Sequence, residues 1–357
     1  MNTFTRRRTT RQSGRRALAV GTVAALAATL SGCAGGGDAG ETYTIRFADY
    51  MPPTHYLATE LIVPWQEEVV KLTDGQVKFD YYPGGQLVES TELYSAIEGG
   101  VVDAAFFTPT VAAPVELPLS AVVALPGIQT PAELGDATER YNEFLRGTLN
   151  DDEWSEKGIR PLLGVVAGQY QLVNRGAPVR GVDDWKGLTV RGASGMLDVM
   201  TAKAGGAAAT VGTNEVYEAL QRRTIDTSIT PGESAIQYNL EEVAESISTN
   251  SQLGVAGVTL GISEEKWNSL PDDIQQAIEQ ATVTALKGYA DHTQGLIASL
   301  KEEHGDQVEF YELTDAELES LRPAMEAAQD AWIAEQDKQG RPGQAVLDGW
   351  RKAAASE

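Results

Sequence analysis

The sequence predicts an α/β protein with two similar lobes, and three features of the chain support this fold class. Strand and helix patterns alternate over residues 43–107, which is typical of a mostly parallel sheet with right-handed crossovers. A helix–turn–strand unit near residues 92–109 recurs near residues 215–231. The last third of the chain is rich in helical patterns. A chain of 357 residues is long enough to bury the cores of two lobes.

The first α/β unit begins with a strand over residues 43–49, where apolar and polar side chains alternate. A helical pattern then runs from residue 57 to about residue 74, with apolar side chains at every fourth position. We expect a strand over 76–82, a helix over about 90–98 and a buried strand over 101–107.

The internal repeat is defined by matched spacing. In each copy a tyrosine on the helix lies nine residues before an aspartate: Tyr94 and Asp103, then Tyr217 and Asp226. Ligands of open α/β sheets bind outside the carboxyl ends of the strands. We therefore expect a cleft lined by the loops that follow Phe107 and Ile229. A chance match of the two segments is the alternative.

The C-terminal third is predicted to be mainly helical. A long apolar stripe begins after Pro271 and continues to Leu296, with a candidate interruption at Gly288. One strand is expected over residues 307–313, and Thr314 is placed to start the last helix.

The chain is strongly acidic, with a formal net charge of −23. This charge argues against a nucleic-acid partner, because such proteins normally present a basic surface. An anionic ligand would be repelled at long range and would need a cationic side chain within its site.

The N-terminus has the features of an export signal. Residues 1–16 hold six arginines and no acid, and residues 17–30 are apolar but too short to span a bilayer comfortably. The following Leu-Ser-Gly-Cys sequence, which ends at Cys33, resembles a bacterial lipobox. We expect a signal peptide over 1–32, lipidation of Cys33, a flexible tether over 33–42 and a location on the outer face of the cell membrane. An ordinary signal peptide with an incidental cysteine is the alternative, and Arg15-Arg16 leaves general and twin-arginine export open.

The sequence offers little support for catalysis or metal binding. The histidines, His55, His292 and His304, are too scattered for an HExxH-type zinc site. Neither a GxSxG turn nor a GxxxxGKS loop occurs. Cys33 is the only cysteine, so no disulfide can form within the chain. We expect no enzymatic activity, no cofactor and no metal.

Several segments carry a family resemblance in their order along the chain. They are residues 82–87 (YPGGQL), 183–191 (DDWKGLTVR), 214–221 (NEVYEALQ), 240–243 (LEEV) and 267–271 (WNSLP). Together they resemble the DctP-type extracytoplasmic solute-binding proteins of tripartite ATP-independent periplasmic (TRAP) transporters, over about residues 43–335.

The resemblance implies a two-lobed, periplasmic-binding-protein-like fold with hinge strands and a long C-terminal helix that braces both lobes. Lobe I would comprise residues 43–167 plus about 254–300, and lobe II residues 168–253 plus about 301–350. It also implies capture of a small carboxylate by lobe closure and delivery to the TRAP membrane subunits.

In the family, an arginine at the end of the signature strand pairs with the ligand's carboxylate, and here that position is Arg191. A planar guanidinium binds a carboxylate through two parallel hydrogen bonds. Many members have a second arginine upstream, where this chain has only glycine, glutamine and tyrosine at residues 168–171. We therefore expect a monocarboxylate, and leave open whether its body is hydroxylated, amino-substituted or zwitterionic.

The remaining candidates come from loops near the expected cleft. Strand alternation would put Gln169 and Gln171 on one face and Tyr170 on the other. Glu233 is either a solvated loop acid or a partner for a ligand amino or hydroxyl group. The full candidate ligand-binding set is Arg191, Gln169, Gln171, Tyr170, Thr230, Glu233, Tyr50, His55 and Phe107.

Two other functions remain as alternatives. A binding lipoprotein that serves a sensor would have the same cleft. A lipid-anchored hydrolase is the second alternative, although no catalytic triad supports it.

The lipobox generates the first testable prediction. Replacing Cys33 by serine removes the thiol that would be acylated, so Cys33→Ser should yield an uncleaved or soluble precursor. Membrane fractionation of cells that express each form measures this. A variant that is cleaved and membrane-anchored like the wild type would contradict lipidation at Cys33.

Overall fold

The computed structural model describes residues 41–355. The expected signal peptide over 1–32, Cys33 and most of the tether over 33–42 lie outside the described residues. Within 41–355, no helix combines the length and the apolar character needed to cross a membrane.

The strands of the described part fall in two groups around one long strand, β4. In chain order they are β1 (Tyr43–Asp49), β2 (Val77–Tyr82), β3 (Ala104–Phe107), β4 (Ile159–Asn174), β5 (Thr189–Arg191), β6 (Ala207–Ala209), β7 (Thr227–Pro231), β8 (Ser246–Ser248), β9 (Val255–Ser263) and β10 (Glu309–Tyr311).

Helices cover these strands and fill the C-terminal third. They are α1 (Val63–Leu72), α2 (Leu93–Glu98), α3 (Pro109–Ala112), α4 (Leu134–Phe144), α5 (Asn150–Asp152), α6 (Gly195–Ala204), α7 (Val216–Gln221), α8 (Gly232–Gln237), α9 (Glu264–Ser269), α10 (Asp272–Thr293), α11 (Leu296–His304), α12 (Asp315–Lys338) and α13 (Gly343–Ala354).

The sequence patterns located the first α/β unit correctly. The strands predicted over 43–49 and 76–82 are β1 and β2, and the helix predicted after residue 57 consists of a π-helical segment, Ala58–Ile62, that continues into α1. Pro64 lies where the π-helical segment passes into α1, and because it has no N–H it cannot donate a hydrogen bond to the preceding helical turn.

Strand β4 belongs to both halves of the sheet. The first half has the order β2-β1-β3-β9-β4, and the second half has the order β6-β5-β7-β4-β8-β10. Within β4, residues 159–169 pair with β9, whereas residues 170–174 pair with β7. The pairs β1–β2, β1–β3, β5–β6 and β5–β7 are parallel, as expected for α/β units, and β4 pairs antiparallel with its neighbours. The lobe boundaries expected from the sequence stay a prediction.

Glycines mark the points where the chain passes between the two halves. Gly168 lies in the irregular part of β4 and has a φ of +138°, and a Cβ there would lie 2.9 Å from the Pro231 side chain and overlap the Glu233 carboxyl group. Gly254, just before β9, has a φ of +89°, and a Cβ there would lie 2.7 Å from the Ala124 backbone. Both conformations suit only glycine.

Helix α12 braces the molecule. Its Trp332 Nε1 donates to the Pro118 carbonyl oxygen at 3.1 Å, and its Gln329 Nε2 donates to the Pro126 carbonyl oxygen at 2.6 Å, both on the side of the first half. The same helix packs against α6, which covers the second half.

The long helix expected after Pro271 is α10, which is continuous through Gly288 and ends before Gly295, where φ is +69°. It packs against α1 and α4 of the first half. Helix α12 is therefore a long C-terminal helix that packs against both halves.

The glycine in β4 generates a prediction about stability. Gly168→Ala should lower the free energy of unfolding by about 2–4 kcal/mol, because the new methyl group meets Pro231 and Glu233 and the backbone conformation is strained. Urea unfolding followed by circular dichroism measures this. Gly288→Ala is the matched control, because it lies in α10 with open space around the new Cβ, and it should leave stability unchanged or raise it. Equal midpoints for Gly168→Ala and wild type would contradict the packing argument.

Candidate ligand-binding site

A cavity lies between the two halves at the carboxyl ends of parallel strands, next to the loops that follow β1, β3, β5 and β7. Backbone and apolar side chains of residues such as Leu57, Val111, Ala256 and Val258 form part of its wall. Its polar lining comprises Tyr50, His55 and Thr108 from the first half, and Tyr170, Arg191, Thr213, Thr230, Ser234 and Tyr238 from the second.

Arg191 is the only basic side chain of this lining other than the histidine, and it is 4% exposed. Its Nε donates to the Val211 carbonyl oxygen at 3.1 Å, Nη1 donates to the Ile229 carbonyl oxygen at 3.2 Å, and Nη2 donates to Thr213 Oγ1 at 3.2 Å. A guanidinium has five N–H groups, so these three bonds hold it in place and leave donors for a further acceptor. No acidic side chain within residues 41–355 forms an ion pair with it.

Burial dominates the electrostatics of Arg191. It lowers the pKa of the guanidinium, and Tyr170, Tyr238, Tyr50 and Asp198 oppose this shift in that order. Burial also raises the pKa of Asp198 to about 6, although the charge of Arg191 acts in the opposite direction. Because an arginine stays protonated even in such surroundings, the cavity contains a buried positive charge with weak compensation.

The other polar groups of the cavity are neutral. The Tyr50 hydroxyl is 3.0 Å from Thr108 Oγ1, and Thr230 Oγ1 is 2.8 Å from Ser228 Oγ. Tyr170 lies on β4 with its side chain 2% exposed. These groups can donate or accept hydrogen bonds without adding charge.

His55 is buried in the loop after β1. Its Nδ1 accepts a hydrogen bond from the Leu57 backbone N–H at 3.2 Å, and its ring lies 4.8 Å from the Tyr56 ring and 5.5 Å from the Tyr238 ring, measured between centroids. Burial lowers the pKa of His55 to about 4, so the imidazole is neutral at pH 7.

Glu233 lies beside the cavity wall instead of in it. It belongs to the first turn of α8, and its carboxyl group occupies the space that a side chain at position 168 would fill. Burial raises its pKa to about 7, and it forms no ion pair with the described basic residues. Glu233 is therefore not among the residues that line the cavity, and the ligand contact considered for it stays a prediction.

The structure brings five of the candidate residues together and leaves the others elsewhere. The residues at the cavity are Arg191, Tyr170, Thr230, Tyr50 and His55. Their roles in binding stay predictions, because position alone does not test them.

Gln169 and Gln171 lie outside the cavity lining and contact other parts of the protein. Gln169 Nε2 donates to the Pro131 carbonyl oxygen at 3.1 Å on an outer cleft. Gln171 Oε1 accepts hydrogen bonds from Ser248 Oγ at 2.8 Å and from the Ser251 N–H at 3.1 Å. Strand alternation separates both from Tyr170, as expected, and it is Tyr170 that faces the cavity.

Phe107 is fully buried in the core, where its ring lies 6.0 Å from the ring of Trp154. The next residue, Thr108, lines the cavity instead, because successive side chains of a strand point to opposite faces. Sequence reasoning missed Thr108, Thr213, Ser234 and Tyr238. The position of Thr108 directly after a predicted strand was a usable signal, whereas no pattern marks Tyr238.

Comparison with known proteins connects this site to a family. The family model of the bacterial extracellular solute-binding proteins, family 7 (DctP), matches residues 47–336. A solute-binding protein of Albidiferax ferrireducens is 31% identical over 191 residues, and the match covers 53% of this chain and 54%, about half, of that relative. The C4-dicarboxylate-binding periplasmic protein DctP of Rhodobacter capsulatus is 25% identical over 262 residues, which is 71% of this chain and 75% of that protein.

Among solved structures, a marine metagenome TRAP solute-binding protein specific for aromatic acid ligands, crystallised with 3-hydroxybenzoate, superimposes with a TM-score of 0.79. It is 18% identical, and the match covers 88% of this chain and 98% of that one. At this identity the comparison establishes the shared fold.

The buried carboxyl group of Glu233 generates a prediction about pH. The unfolded chain binds the proton of this group with the ordinary pKa of 4.5, and the folded protein with a pKa of about 7. The folded state therefore binds more protons in this interval, and the free energy of unfolding should fall as pH rises from about 4.5 to about 7. In Glu233→Gln, which stays neutral, this fall should be smaller by about 1–3 kcal/mol.

Urea unfolding of wild type and Glu233→Gln at several pH values between 4.5 and 7.5 measures the difference. Glu153, whose pKa burial also raises to about 7, is present in both proteins, so the difference between them isolates Glu233. Parallel stability curves would contradict the assignment.

Proposed function

Because the chain belongs to the bacterial extracellular solute-binding proteins of family 7 (DctP), the solute-binding subunits of TRAP transporters, we propose that it captures a small monocarboxylate in the cavity between its two halves. It would then deliver this solute to the TRAP membrane subunits. The proposal includes export and attachment to the outer face of the cell membrane through Cys33.

The observation that carries this proposal is the buried guanidinium of Arg191 without an anionic partner. A buried charge that lacks a counter-charge costs several kcal/mol, and a bound carboxylate would supply that counter-charge. The three contacts to Val211, Ile229 and Thr213 fix the plane of the guanidinium. A guanidinium held in this way can bind both carboxylate oxygens without a further loss of side-chain entropy.

One charged group in the ligand is favoured over two. Apart from Arg191, the lining consists of neutral hydroxyl groups, a neutral imidazole and apolar side chains. A second carboxylate would find no cation there. The rings of Tyr50, Tyr170 and Tyr238 instead offer an apolar surface, which suits an aromatic or otherwise apolar body. A protein of the same fold was crystallised with 3-hydroxybenzoate, an acid of this kind, and a relative binds C4-dicarboxylates. The single cation of the cavity lining is the reason to favour a monocarboxylate.

Lobe closure is part of the proposal because both halves contribute to the cavity. His55 and Thr108 come from the first half and Arg191 from the second, so only a closed arrangement allows a small ligand to contact all of them. The connecting strands pass between the halves at Gly168 and Gly254, which are suited to absorb a change of backbone angles. A closed, loaded form would present a distinct surface to the membrane subunits.

The test begins with a thermal-shift screen of organic monocarboxylates and dicarboxylates, in which a ligand raises the melting temperature by mass action. Calorimetry with the best ligand then compares Arg191 variants. Arg191→Met should weaken binding by about 2–5 kcal/mol, which is about 30-fold to several thousand-fold, since the carboxylate loses its charged partner. Arg191→Lys keeps the charge but loses the planar pair of N–H donors. Its affinity should lie between those of wild type and Arg191→Met.

Arg222→Met is the control, because Arg222 is an exposed arginine paired with Glu218 on α7, and its loss should leave affinity unchanged. If Arg191→Met bound the ligand with near-wild-type affinity, the ligand carboxylate would not bind at Arg191. Preference for dicarboxylates throughout the screen would contradict the single-charge argument.

A further inference from the structure

The protonation state of His55 follows from its hydrogen bond. The Leu57 backbone N–H can only donate, so Nδ1 of His55 must present its lone pair at 3.2 Å. A neutral imidazole has one proton, and that proton is therefore on Nε2. The ring is held in this tautomer by a backbone group that does not move with the side chain.

The Nε2–H group of His55 is an available donor. No residue within 41–355 accepts a hydrogen bond from it. The Nε2 atom is also not fully enclosed by protein atoms, so a further group can reach it. His55 is 1% exposed as a residue and lines the cavity, so the cavity is the space that Nε2 can reach. A buried donor of this kind costs free energy unless it finds an acceptor.

His55 and Arg191 occupy different parts of the cavity. His55 comes from the loop after β1 in the first half, next to Tyr56. Arg191 ends a strand of the second half, and its three hydrogen bonds are all formed within that half. A ligand carboxylate at Arg191 would therefore leave His55 for another group of the same molecule.

We propose that His55 is a specificity-determining residue whose Nε2–H donates a hydrogen bond to an uncharged oxygen of the ligand. This inference rests on the proposed function, because it assumes that the carboxylate binds at Arg191. The ligand is then a monocarboxylate with a hydroxyl, ether or carbonyl oxygen away from its carboxyl group. An unsubstituted acid leaves the donor without an acceptor and binds more weakly.

The test compares acids that differ by one oxygen. Calorimetry at pH 7 is performed with benzoate and its three monohydroxy isomers, phenylacetate and mandelate, and butyrate and its hydroxy derivatives. Wild type should bind at least one oxygenated acid about tenfold more tightly than its unsubstituted partner. His55→Leu, which has no donor, should remove this preference, and His55→Gln, which keeps an N–H donor of similar reach, should retain part of it.

His292→Gln is the matched control, because His292 is a half-exposed histidine near Glu60, outside the cavity lining, and it should keep the full preference. Urea unfolding of each variant verifies folding, and if His55→Leu fails to fold, the wild-type ligand series and His55→Gln still decide the question. Equal affinities of wild type for acids with and without the oxygen would overturn the inference while leaving the proposed function intact. Binding of none of the monocarboxylates would contradict the proposed function itself.

Proton exchange gives an independent measurement. Because the donor is the neutral imidazole, His55 should take up no proton when the oxygenated acid binds at pH 7. Wild type and His55→Leu, which share Glu233 and Asp198, should therefore show the same proton exchange in calorimetry with two buffers of different ionisation enthalpy. Uptake of about one proton per ligand by wild type that is absent in His55→Leu would show that a charged imidazolium binds a second anionic group, and it would overturn the inference.

Discussion

The buried positive charge of Arg191 is the constraint on which the site depends. The guanidinium is surrounded by carbonyl and hydroxyl oxygens, which orient it without neutralising it. Asp198, the acid closest to compensating it, is itself shifted toward its neutral form by burial. An arrangement of this kind stores an unfavourable desolvation energy in the free protein that an anionic ligand can relieve. Under the proposed function, the affinity for a carboxylate would come from the absence of a counter-charge in the free protein.

The position of this charge depends on strand β4. Because β4 belongs to both halves of the sheet, the carboxyl ends of β1 and β3 meet those of β5 and β7 across one cavity. The irregular segment around Gly168 lets the strand change partners, and the same segment makes room for Glu233. Helix α12 spans the two halves from outside. Within β4, the irregular segment at Gly168 therefore lies next to residues Ala167 and Tyr170 of the cavity lining.

Burial sets the charge of nearly every titratable group around the cavity. It keeps His55 neutral by lowering its pKa, and it keeps Glu233 largely protonated in mildly acidic solution by raising its pKa. Within the cavity lining, Arg191 is then the one charged side chain at neutral pH. Under the proposed function, such a lining would discriminate by the number of charges on a ligand first and by the placement of its uncharged oxygens second, since unpaired buried donors are costly.

The local patterns of the sequence determined the fold class and most element positions, because alternation and helical spacing are properties of neighbouring residues. Arg191 was singled out by the resemblance of residues 183–191 to a family motif. The local patterns did not determine which face of β4 lines the cavity, so Gln169 and Gln171 were candidates beside Tyr170. They also did not determine that Thr108 instead of Phe107 lines the cavity. Tyr238 carries no local signal at all. Only tertiary structure decides such contacts, because they depend on how β4 packs between β7 and β9 and on where α8 places its end.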